Sequence, residues 1–218
     1  MSLLKFQDVS FIGDSKAIVS KMDFAVETGD YVSIVGPSGG GKSTFLKLCC
    51  HLISPTSGTL LYKDKPILEY DPLELRKNIA YCFQTPHLFG KTVMDNFAFP
   101  YEIRKINPDI KRIEELLVIF NLDSSYLERS IVNLSGGEKQ RIALIRTLLF
   151  QPEILLLDEV TSALDKQNTA TVEEVVKSFH GSGSSVLWVT HNPEQSKKNA
   201  NKVLTLEAGK IKSVEVLK

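Results

Sequence analysis

The stretch from Tyr31 to Thr44 reads Tyr-Val-Ser-Ile-Val-Gly-Pro-Ser-Gly-Gly-Gly-Lys-Ser-Thr, and it decides the fold. Residues 31–35 form a short apolar run that predicts a buried strand, and residues 43–52 predict a helix. Between them, residues 36–43 match G-x-x-x-x-G-K-[ST], a pattern whose glycines let backbone N–H groups converge on phosphate oxygens. A preceding strand and a following helix are the context that this pattern requires. The sequence therefore predicts a nucleotide phosphate site.

Two side chains of this loop are expected to do most of the binding. The Lys42 ammonium would reach the β- and γ-phosphates, and the Ser43 hydroxyl would ligate Mg²⁺. The start of the following helix would add its partial positive charge. The candidate ATP-binding residues of the loop are Gly36, Pro37, Ser38, Gly39, Gly40, Gly41, Lys42, Ser43 and Thr44.

Polar residues also follow three further predicted strands. Asp158 and Glu159 end one apolar run, Gln84 follows a second, and His191 follows a third. Because ligands of open α/β sheets bind outside the carboxyl ends of the strands, we expect all four beside the loop. Asp158 would hold hydrated Mg²⁺, and Gln84 would bind Mg²⁺ or the attacking water. Glu159 would polarise that water, and His191 would donate a hydrogen bond to the γ-phosphate. Polar residues that merely end strands are the structural alternative.

The order of the predicted elements indicates an α/β fold with a mostly parallel sheet. Continuous apolar runs such as residues 154–157 and 186–189 are typical of parallel strands that are covered on both faces. The first thirty residues alternate in short runs, which predicts an antiparallel β layer. Residues 59–62 and 66–68 are expected to form another hairpin-like pair.

A helical insertion is predicted between the two halves of the core. Asn107 would cap a helix with Pro108 at its first position, and apolar residues then recur at helical spacing up to Phe120. We therefore expect a single domain over residues 1–218. Its catalytic core and β layer would be residues 1–85 and 151–218, and its helical subdomain residues 86–150.

Composition excludes several classes of protein. The 218 residues include 26 basic and 26 acidic ones, which speaks against a nucleic-acid partner. No apolar stretch approaches the roughly 20 residues of a membrane span, and the start lacks signal-peptide features, so a cytoplasmic location is expected. The cysteines Cys49, Cys50 and Cys82 do not form a disulfide pattern. Apolar packing is expected of them, with a soft metal site at Cys49-Cys50-His51 as the alternative.

A second glycine turn precedes another predicted helix. Ser135 could be its N-cap, with Glu138 as the capping-box partner. Alternatively, the Ser135 hydroxyl, the N–H groups of Gly136 and Gly137 and the helix N-terminus could together form a second anion site. The residues alone leave both interpretations open.

Together, these motifs resemble the nucleotide-binding domain of an ABC transporter. The matching segments are residues 36–44, 84, 134–141, 154–159, 162–165 and 191, in the family's order. The resemblance implies a P-loop NTPase (RecA-like) core with a helical ABC-specific subdomain. It also implies a head-to-tail dimer of two copies, with ATP sandwiched between one copy's loop and the other copy's Ser135, Gly136 and Gly137. Asp165 would lie in a loop that crosses the dimer interface.

Two positions bear on how well the chain matches the family. Phe11 corresponds to the family's adenine-stacking aromatic residue, although it could equally belong to the core. Asn192 stands where an aspartate commonly follows the histidine. Every motif is present, so the resemblance implies an active Mg²⁺-dependent ATP hydrolase.

A narrower resemblance concerns residues 52–60, 81–90 and 186–191. They are similar to ATP-binding subunits of the bacterial iron-export, metal-stress-resistance type, and plant aluminium-tolerance transporters have a similar ATPase half. The resemblance implies a subunit that energises transport, of iron or another metal ion, through a separate transmembrane permease on the inner face of the membrane. The alternatives are a soluble ABC-type ATPase and a regulatory nucleotide-binding protein without a transport role.

An apolar stretch after Gln84 is a candidate groove for a cytoplasmic helix of the permease. Internal packing of the helical insertion is the alternative. The residues concerned are Pro86, Leu88, Phe89, Val93 and Phe97.

Overall fold

The computed structural model describes residues 2–217 of the chain. The strands are β1 (Ser2–Gly13), β2 (Lys16–Glu27), β3 (Tyr31–Val35), β4 (Ser57–Tyr62), β5 (Lys65–Pro66), β6 (Ile79–Cys82), β7 (Ile154–Asp158), β8 (Ser185–Val189), β9 (Lys202–Glu207) and β10 (Lys210–Val216). The α-helices are α1 (Lys42–Cys49), α2 (Pro72–Asn78), α3 (Val93–Arg104), α4 (Ile110–Ile119), α5 (Gly136–Leu148), α6 (Lys166–Gly181) and α7 (Pro193–Lys198). Short 3₁₀ helices are Ile67–Glu69, Ser124–Glu128 and Ile131–Asn133.

The chain divides into two compact units. The first unit contains the residues up to Tyr81, residues 152–159 and the residues from Phe179 onward. The second unit contains residues 82–151 and 160–178. The predicted helical subdomain, residues 86–150, lies within the second unit.

The principal sheet of the first unit has the strand order β10-β9-β3-β8-β7-β6. Strand β3 runs parallel to β8 and β9, and β7 runs parallel to β8, whereas β10 pairs with β9 in the antiparallel sense. Every residue of β7 and β8 is buried, as expected of strands that are covered on both faces. The predicted mostly parallel sheet is confirmed, and it brings the carboxyl ends of β3, β8 and β7 to one edge.

A smaller antiparallel sheet confirms the predicted N-terminal β layer. Its order is β2-β1-β4-β5, so it also includes the two strands that follow α1. Helix α1 packs on this layer through Phe45, whose fully buried ring stacks on Phe6 with centroids 4.7 Å apart. Phe24 approaches the same ring edge-on at 6.1 Å. The helix that follows the glycine loop is therefore anchored by aromatic packing.

Cys49, Cys50 and Cys82 are buried, and no disulfide joins them. Burial raises the pKa of the Cys50 thiol to about 12 and raises that of Cys49 well above its usual value, so both thiols stay protonated. Within residues 2–217 no group of three or more His, Cys, Asp or Glu side chains is placed to hold a metal ion. The expected apolar packing of these cysteines is the interpretation that the structure supports.

Two local predictions are wrong. Helix α4 begins at Ile110, and its N-cap is Asp109, not Asn107, because the Asp109 carboxylate accepts the Arg112 N–H at 3.0 Å. The expected strand over residues 66–68 ends at Pro66, and the chain continues as a 3₁₀ turn.

Helices α2, α3 and α7 were not anticipated. Helix α3 contains Pro100 and lacks an amphipathic pattern, so neither of the usual sequence signals marks it. It is defined instead by a capping box, in which Thr92 accepts the Asp95 N–H and Asp95 accepts the Thr92 N–H. In the described part of the chain, no helix has the length and hydrophobicity that a membrane span requires.

Candidate functional site

The loop between β3 and α1 curls around the Lys42 ammonium. The Lys42 Nζ donates to the Gly36 carbonyl oxygen at 3.0 Å and to the Pro37 carbonyl oxygen at 2.9 Å. The Pro37 oxygen also accepts the Gly40 N–H at 3.1 Å, which closes the turn. Lys42 is buried, whereas the tip of the loop at Ser38 and Gly39 is exposed. A buried cation under an exposed loop is a site suited to an anion that arrives from solvent.

Two glycines of the loop are required by its geometry. Gly36 has φ 141°, and a Cβ at this position would overlap the Leu206 carbonyl oxygen. Gly41 has φ 95°, and its Cβ would lie 2.9 Å from the Ile18 carbonyl oxygen. Because Gly41 is also the N-cap of α1 and offers no side-chain acceptor, the first N–H groups of the helix are left for a bound anion.

Ser43 and Asp158 meet where α1 begins and β7 ends. The Ser43 Oγ donates to Asp158 Oδ1 at 3.0 Å, and the Tyr81 hydroxyl donates to Asp158 Oδ2 at 2.7 Å. Asp158 is 3% exposed. Hydroxyl and carboxylate oxygens are the ligands that Mg²⁺ prefers, so this donor set fits the predicted metal. The sequence analysis does not identify Tyr81, because Tyr81 lies beside Asp158 only through the adjacent positions of β6 and β7 in the sheet.

Glu159 and His191 form a second pair at the same edge of the sheet. The Glu159 Oε1 lies 2.7 Å from His191 Nε2, and the Glu159 N–H donates to the Val189 carbonyl oxygen at 3.1 Å. Glu159 has φ 50°, a left-handed conformation that is uncommon outside glycine and tends to occur at functional sites. The structure thus places Lys42 and Ser43 at the start of α1, and Asp158, Glu159 and His191 at the carboxyl ends of the neighbouring strands β7 and β8.

Asn192 has a structural role in the segment after His191. Its Oδ1 accepts the N–H groups of Glu194 at 2.9 Å and Gln195 at 3.3 Å, so it caps α7. Asparagine and aspartate are about equally good N-caps, which explains why this departure from the family pattern leaves the local fold intact.

Phe11 lies in β1, opposite Val19 of β2, and is half-buried. Its ring packs against the hydrophobic core of the first unit. Part of the ring therefore serves the fold, and adenine stacking by Phe11 stays a prediction.

In the second unit, Ser135 caps α5 through a capping box. The Ser135 Oγ accepts the Glu138 N–H at 3.3 Å, and Glu138 Oε2 accepts the Ser135 N–H at 2.7 Å. The Tyr126 hydroxyl donates to the other carboxylate oxygen at 2.6 Å. The bonds from Tyr126 and then Ser135 lower the pKa of Glu138 from its ordinary 4.5 to about 2. The capping interpretation is therefore correct for the single chain.

Among the residues that the structure describes, no neighbour requires glycine at positions 136 and 137. A Cβ at Gly136 would meet no atom within 4 Å, and one at Gly137 would meet only Leu164 Cδ2, at 4.0 Å. Neither residue has a left-handed φ. Glycine weakens a helix, and within residues 2–217 no contact or backbone angle demands it at these two positions. The bare backbone at the start of α5 therefore favours close approach by an external group.

Gln84 and Asp165 also belong to the second unit. Gln84 is exposed, two residues beyond β6, and its predicted contact with Mg²⁺ or water stays a prediction. The Asp165 carboxylate accepts hydrogen bonds from the backbone N–H and the side-chain Nδ2 of Asn168, both at 2.8 Å. These bonds order the start of α6.

The apolar stretch after Gln84 divides into core and surface. Val93 and Phe97 are fully buried, so internal packing is the correct interpretation for them, whereas Phe89 is 39% exposed. The side chain of Asn96 binds both the N–H and the carbonyl oxygen of Phe89, at 3.1 and 2.9 Å. The Arg146 guanidinium in turn donates to Asn96 Oδ1 at 3.0 Å, which ties the loop to α5. Pro86 and Leu88 are half-buried, so each is partly accessible at the surface.

Comparisons with known proteins agree with this arrangement. The family model described as "ABC transporter" matches residues 19–162, more than half of the chain. The Escherichia coli (strain K12) protein named "Probable iron export ATP-binding protein FetA" is 45% identical over 206 residues, which cover 94% of this chain and 91% of that protein. The Arabidopsis thaliana protein "ABC transporter I family member 17" is 37% identical, with 94% and 78% covered.

The fold also matches a solved dimeric structure. The ATP-binding cassette MJ0796 in a post-hydrolysis state, bound to ADP and Pi, superposes with a TM-score of 0.89 at 28% identity, covering 99% of both chains. A second dimeric structure of MJ0796 has a TM-score of 0.88.

The capping box at Ser135 makes stability depend on pH. Since the pKa of Glu138 in the folded chain, about 2, lies below its ordinary 4.5, the ionised carboxylate stabilises the fold above pH 4.5, and this contribution is lost as the pH falls toward 2. Replacement of Glu138 by Gln keeps a side chain that can complete the box but removes the charge. We expect Glu138→Gln to lower the free energy of unfolding by about 1 kcal/mol at pH 7 and by progressively less at pH 4 and 3, in urea titrations.

The matched control for this measurement is Glu114→Gln, at an exposed position of α4. A difference between wild type and Glu138→Gln that stays constant from pH 7 to pH 3 would contradict the assignment of the charge to the box.

Proposed function

The chain belongs to the ABC transporter family as an ATP-binding, ATP-hydrolysing subunit, and from this premise we propose that it drives export of iron or another metal ion through a separate membrane subunit. The observation that carries the ATPase mechanism is the Ser43–Asp158 hydrogen bond beside the buried Lys42. The likeness to the E. coli relative, over nearly the full length of both chains, supports the cargo.

The residues of the loop bind the phosphates of ATP. Lys42 exchanges its two carbonyl acceptors for β- and γ-phosphate oxygens, which gain more from a positive charge than neutral carbonyls do. The N–H groups of residues 38–44 and the first turn of α1 surround the same oxygens. Phe11 stacks on the adenine ring through the part of its surface that the core leaves uncovered.

Ser43 and Asp158 are the residues that would hold Mg²⁺. When bound, the metal neutralises phosphate charge that develops on the transferred group. Ser43 keeps its hydrogen bond to Asp158 Oδ1, so that its lone pairs are directed away from the carboxylate. Gln84 is proposed as a further oxygen donor on the strength of its sequence position alone.

Glu159 is proposed as the general base and His191 as its partner. Glu159 takes the proton of the attacking water through Oε1 or Oε2, and its strained backbone fixes where the carboxylate stands. The His191 ring is about half exposed and its Nε2 contacts Glu159 Oε1, so it can hold Glu159 in place. When ATP binds, this ring would turn its N–H from Glu159 to a γ-phosphate oxygen.

A second copy of the chain completes each ATP site in this proposal. Homologous cassettes are dimeric in solved structures. Ser135, Gly136 and Gly137 of one copy would contact the γ-phosphate that the loop of the other copy holds. The absence of any internal requirement for Gly136 and Gly137 supports a contact of this kind. Asp165 is proposed to lie at the same interface.

The membrane part of the transporter is proposed to be a separate polypeptide. The exposed aromatic side chains Phe83, Phe89 and Phe99 offer an apolar surface in the second unit on which a cytoplasmic helix of that permease could dock. The chain would then lie on the inner face of the membrane through its partner.

Replacement of the proposed base tests the mechanism. We expect Glu159→Gln to bind ATP with wild-type affinity and to hydrolyse it 10²- to 10⁴-fold more slowly, since a carboxamide does not accept the proton. Calorimetry measures the binding, and phosphate release measures the rate. Lys42→Ala provides the contrast, because it should lose ATP affinity. Hydrolysis by Glu159→Gln at near the wild-type rate would remove Glu159 from this role.

A charge at the start of α5 tests the dimer. In a Glu159→Gln background, we expect Gly136→Asp to keep the stability of the monomer, because an acidic residue suits a helix N-terminus, and to abolish ATP-dependent dimerisation by repelling phosphate. Size-exclusion chromatography with and without ATP measures the outcome. Gly136→Ala separates bulk from charge. A dimer that survives Gly136→Asp would refute the sandwich.

Deletion of the chain from its host tests the cargo. Iron-loaded cells that lack the chain should retain more intracellular iron than wild-type cells, as measured by elemental analysis. The wild-type chain should restore export, and Glu159→Gln should not. Equal iron contents in all three strains, with ATP binding intact, would reject iron as the cargo while leaving the ATPase assignment in place.

A further inference from the structure

We propose that Tyr81 is a positioning residue of the magnesium–nucleotide site, which holds the Asp158 carboxylate in the orientation that the metal needs. This inference rests on the proposed function, because it assigns a role toward the metal that Ser43 and Asp158 would bind. Tyr81 itself would contact neither the metal nor the phosphates.

The geometry places one hydroxyl on each oxygen of the carboxylate. Tyr81 lies in β6, and its hydroxyl donates to Asp158 Oδ2 at 2.7 Å. Ser43 lies in α1, and its hydroxyl donates to Asp158 Oδ1 at 3.0 Å. Two donors on different elements, one for each oxygen, restrict rotation of the carboxylate about its Cβ–Cγ bond. The Tyr81 ring packs against the hydrophobic core, so its own position is fixed by apolar contacts.

The same chain contains a tyrosine–carboxylate pair that is structural, and the comparison is instructive. At Glu153, the Tyr62 hydroxyl donates to Oε2 at 2.5 Å, and the Lys63 ammonium donates to Oε1 at 2.6 Å. The carboxylate of Glu153 therefore has an internal cation. The charge of Glu153 is thus balanced by Lys63 within the chain, without a metal ion.

Asp158 differs from Glu153 in this respect. In the part of the chain that the structure describes, its side chain is bound by the two neutral hydroxyls and forms no ion pair. It is nevertheless 3% exposed, and a buried carboxylate is costly unless a cation accompanies it. A phenol orients this carboxylate without cancelling its charge, and so preserves it for a metal ion.

Groups that orient a ligand from behind contribute strongly to metal binding. Their removal typically costs 10- to 100-fold in metal affinity. Loss of the Tyr81 hydroxyl would release Oδ2 while Ser43 alone holds Oδ1. The nucleotide phosphates are bound by Lys42 and the loop, which do not depend on Tyr81. The affinity for ATP without metal should therefore be unaffected.

The test is Tyr81→Phe, with Mn²⁺ as the spectroscopic probe of the metal site. Electron paramagnetic resonance titrations in the presence of saturating ADP should give an Mn²⁺ affinity about tenfold weaker than that of wild type. Calorimetric ATP affinity in EDTA should be unchanged. The Mg²⁺ concentration that half-saturates hydrolysis should rise, and the rate at saturating Mg²⁺ should approach that of wild type.

The matched control is Tyr70→Phe, which removes another half-buried hydroxyl of the first unit, one that donates to the Tyr62 carbonyl oxygen at 2.9 Å. It should leave Mn²⁺ affinity unchanged. An Mn²⁺ affinity of Tyr81→Phe equal to that of wild type overturns the inference, as does a parallel loss of ATP affinity in EDTA, which would indicate a merely structural hydroxyl. A wild-type chain that binds no ATP would instead overturn the proposed function.

Discussion

The hydrogen bond between Ser43 and Asp158 is the contact on which the site depends, because it joins two segments that are far apart in sequence. Ser43 stands in the first turn of α1, and Asp158 is the last residue of β7. The two meet only because β3, which leads into the loop, and β7 both run parallel to β8. The buried parallel strands thus set the distance between the phosphate loop and the Asp158 carboxylate.

The glycines before α1 and those at the start of α5 are present for different reasons. Gly36 and Gly41 are fixed by the chain itself, since their backbone conformations and the nearby carbonyl oxygens of Leu206 and Ile18 leave no space for a side chain. Gly136 has open space around it and an ordinary backbone conformation. The first loop is therefore a preformed cradle, whereas the glycines of α5 make sense as a surface that something outside the chain approaches closely.

Sequence patterns predicted the parallel sheet, the antiparallel layer and the strand ends beside Asp158, Glu159 and His191. Each of these features is encoded by a short continuous run of residues. Features that depend on partners distant in sequence were missed. The role of Tyr81 follows from the β7-β6 neighbourhood, which no periodicity reveals. Helix α3 was missed because Pro100 argues against a helix and its buried positions do not form a stripe. The start of α4 was misplaced because Asn107 and Asp109 are both acceptable caps, and only the Arg112 N–H distinguishes them.

The cap at Ser135 and the anion site proposed for the same residue use different atoms, so Ser135 can serve both. The Ser135 oxygen accepts the Glu138 N–H and thereby fixes where the side chain stands. The Ser135 hydroxyl also donates to Glu138 Oε2 at 2.7 Å, and the same carboxylate accepts the Ser135 N–H and the Tyr126 hydroxyl. A phosphate that approaches the open backbone of Gly136 competes only for this hydrogen. Glu138 would lose one of its donors and keep the others, so the helix would stay capped while the hydroxyl turned to the anion.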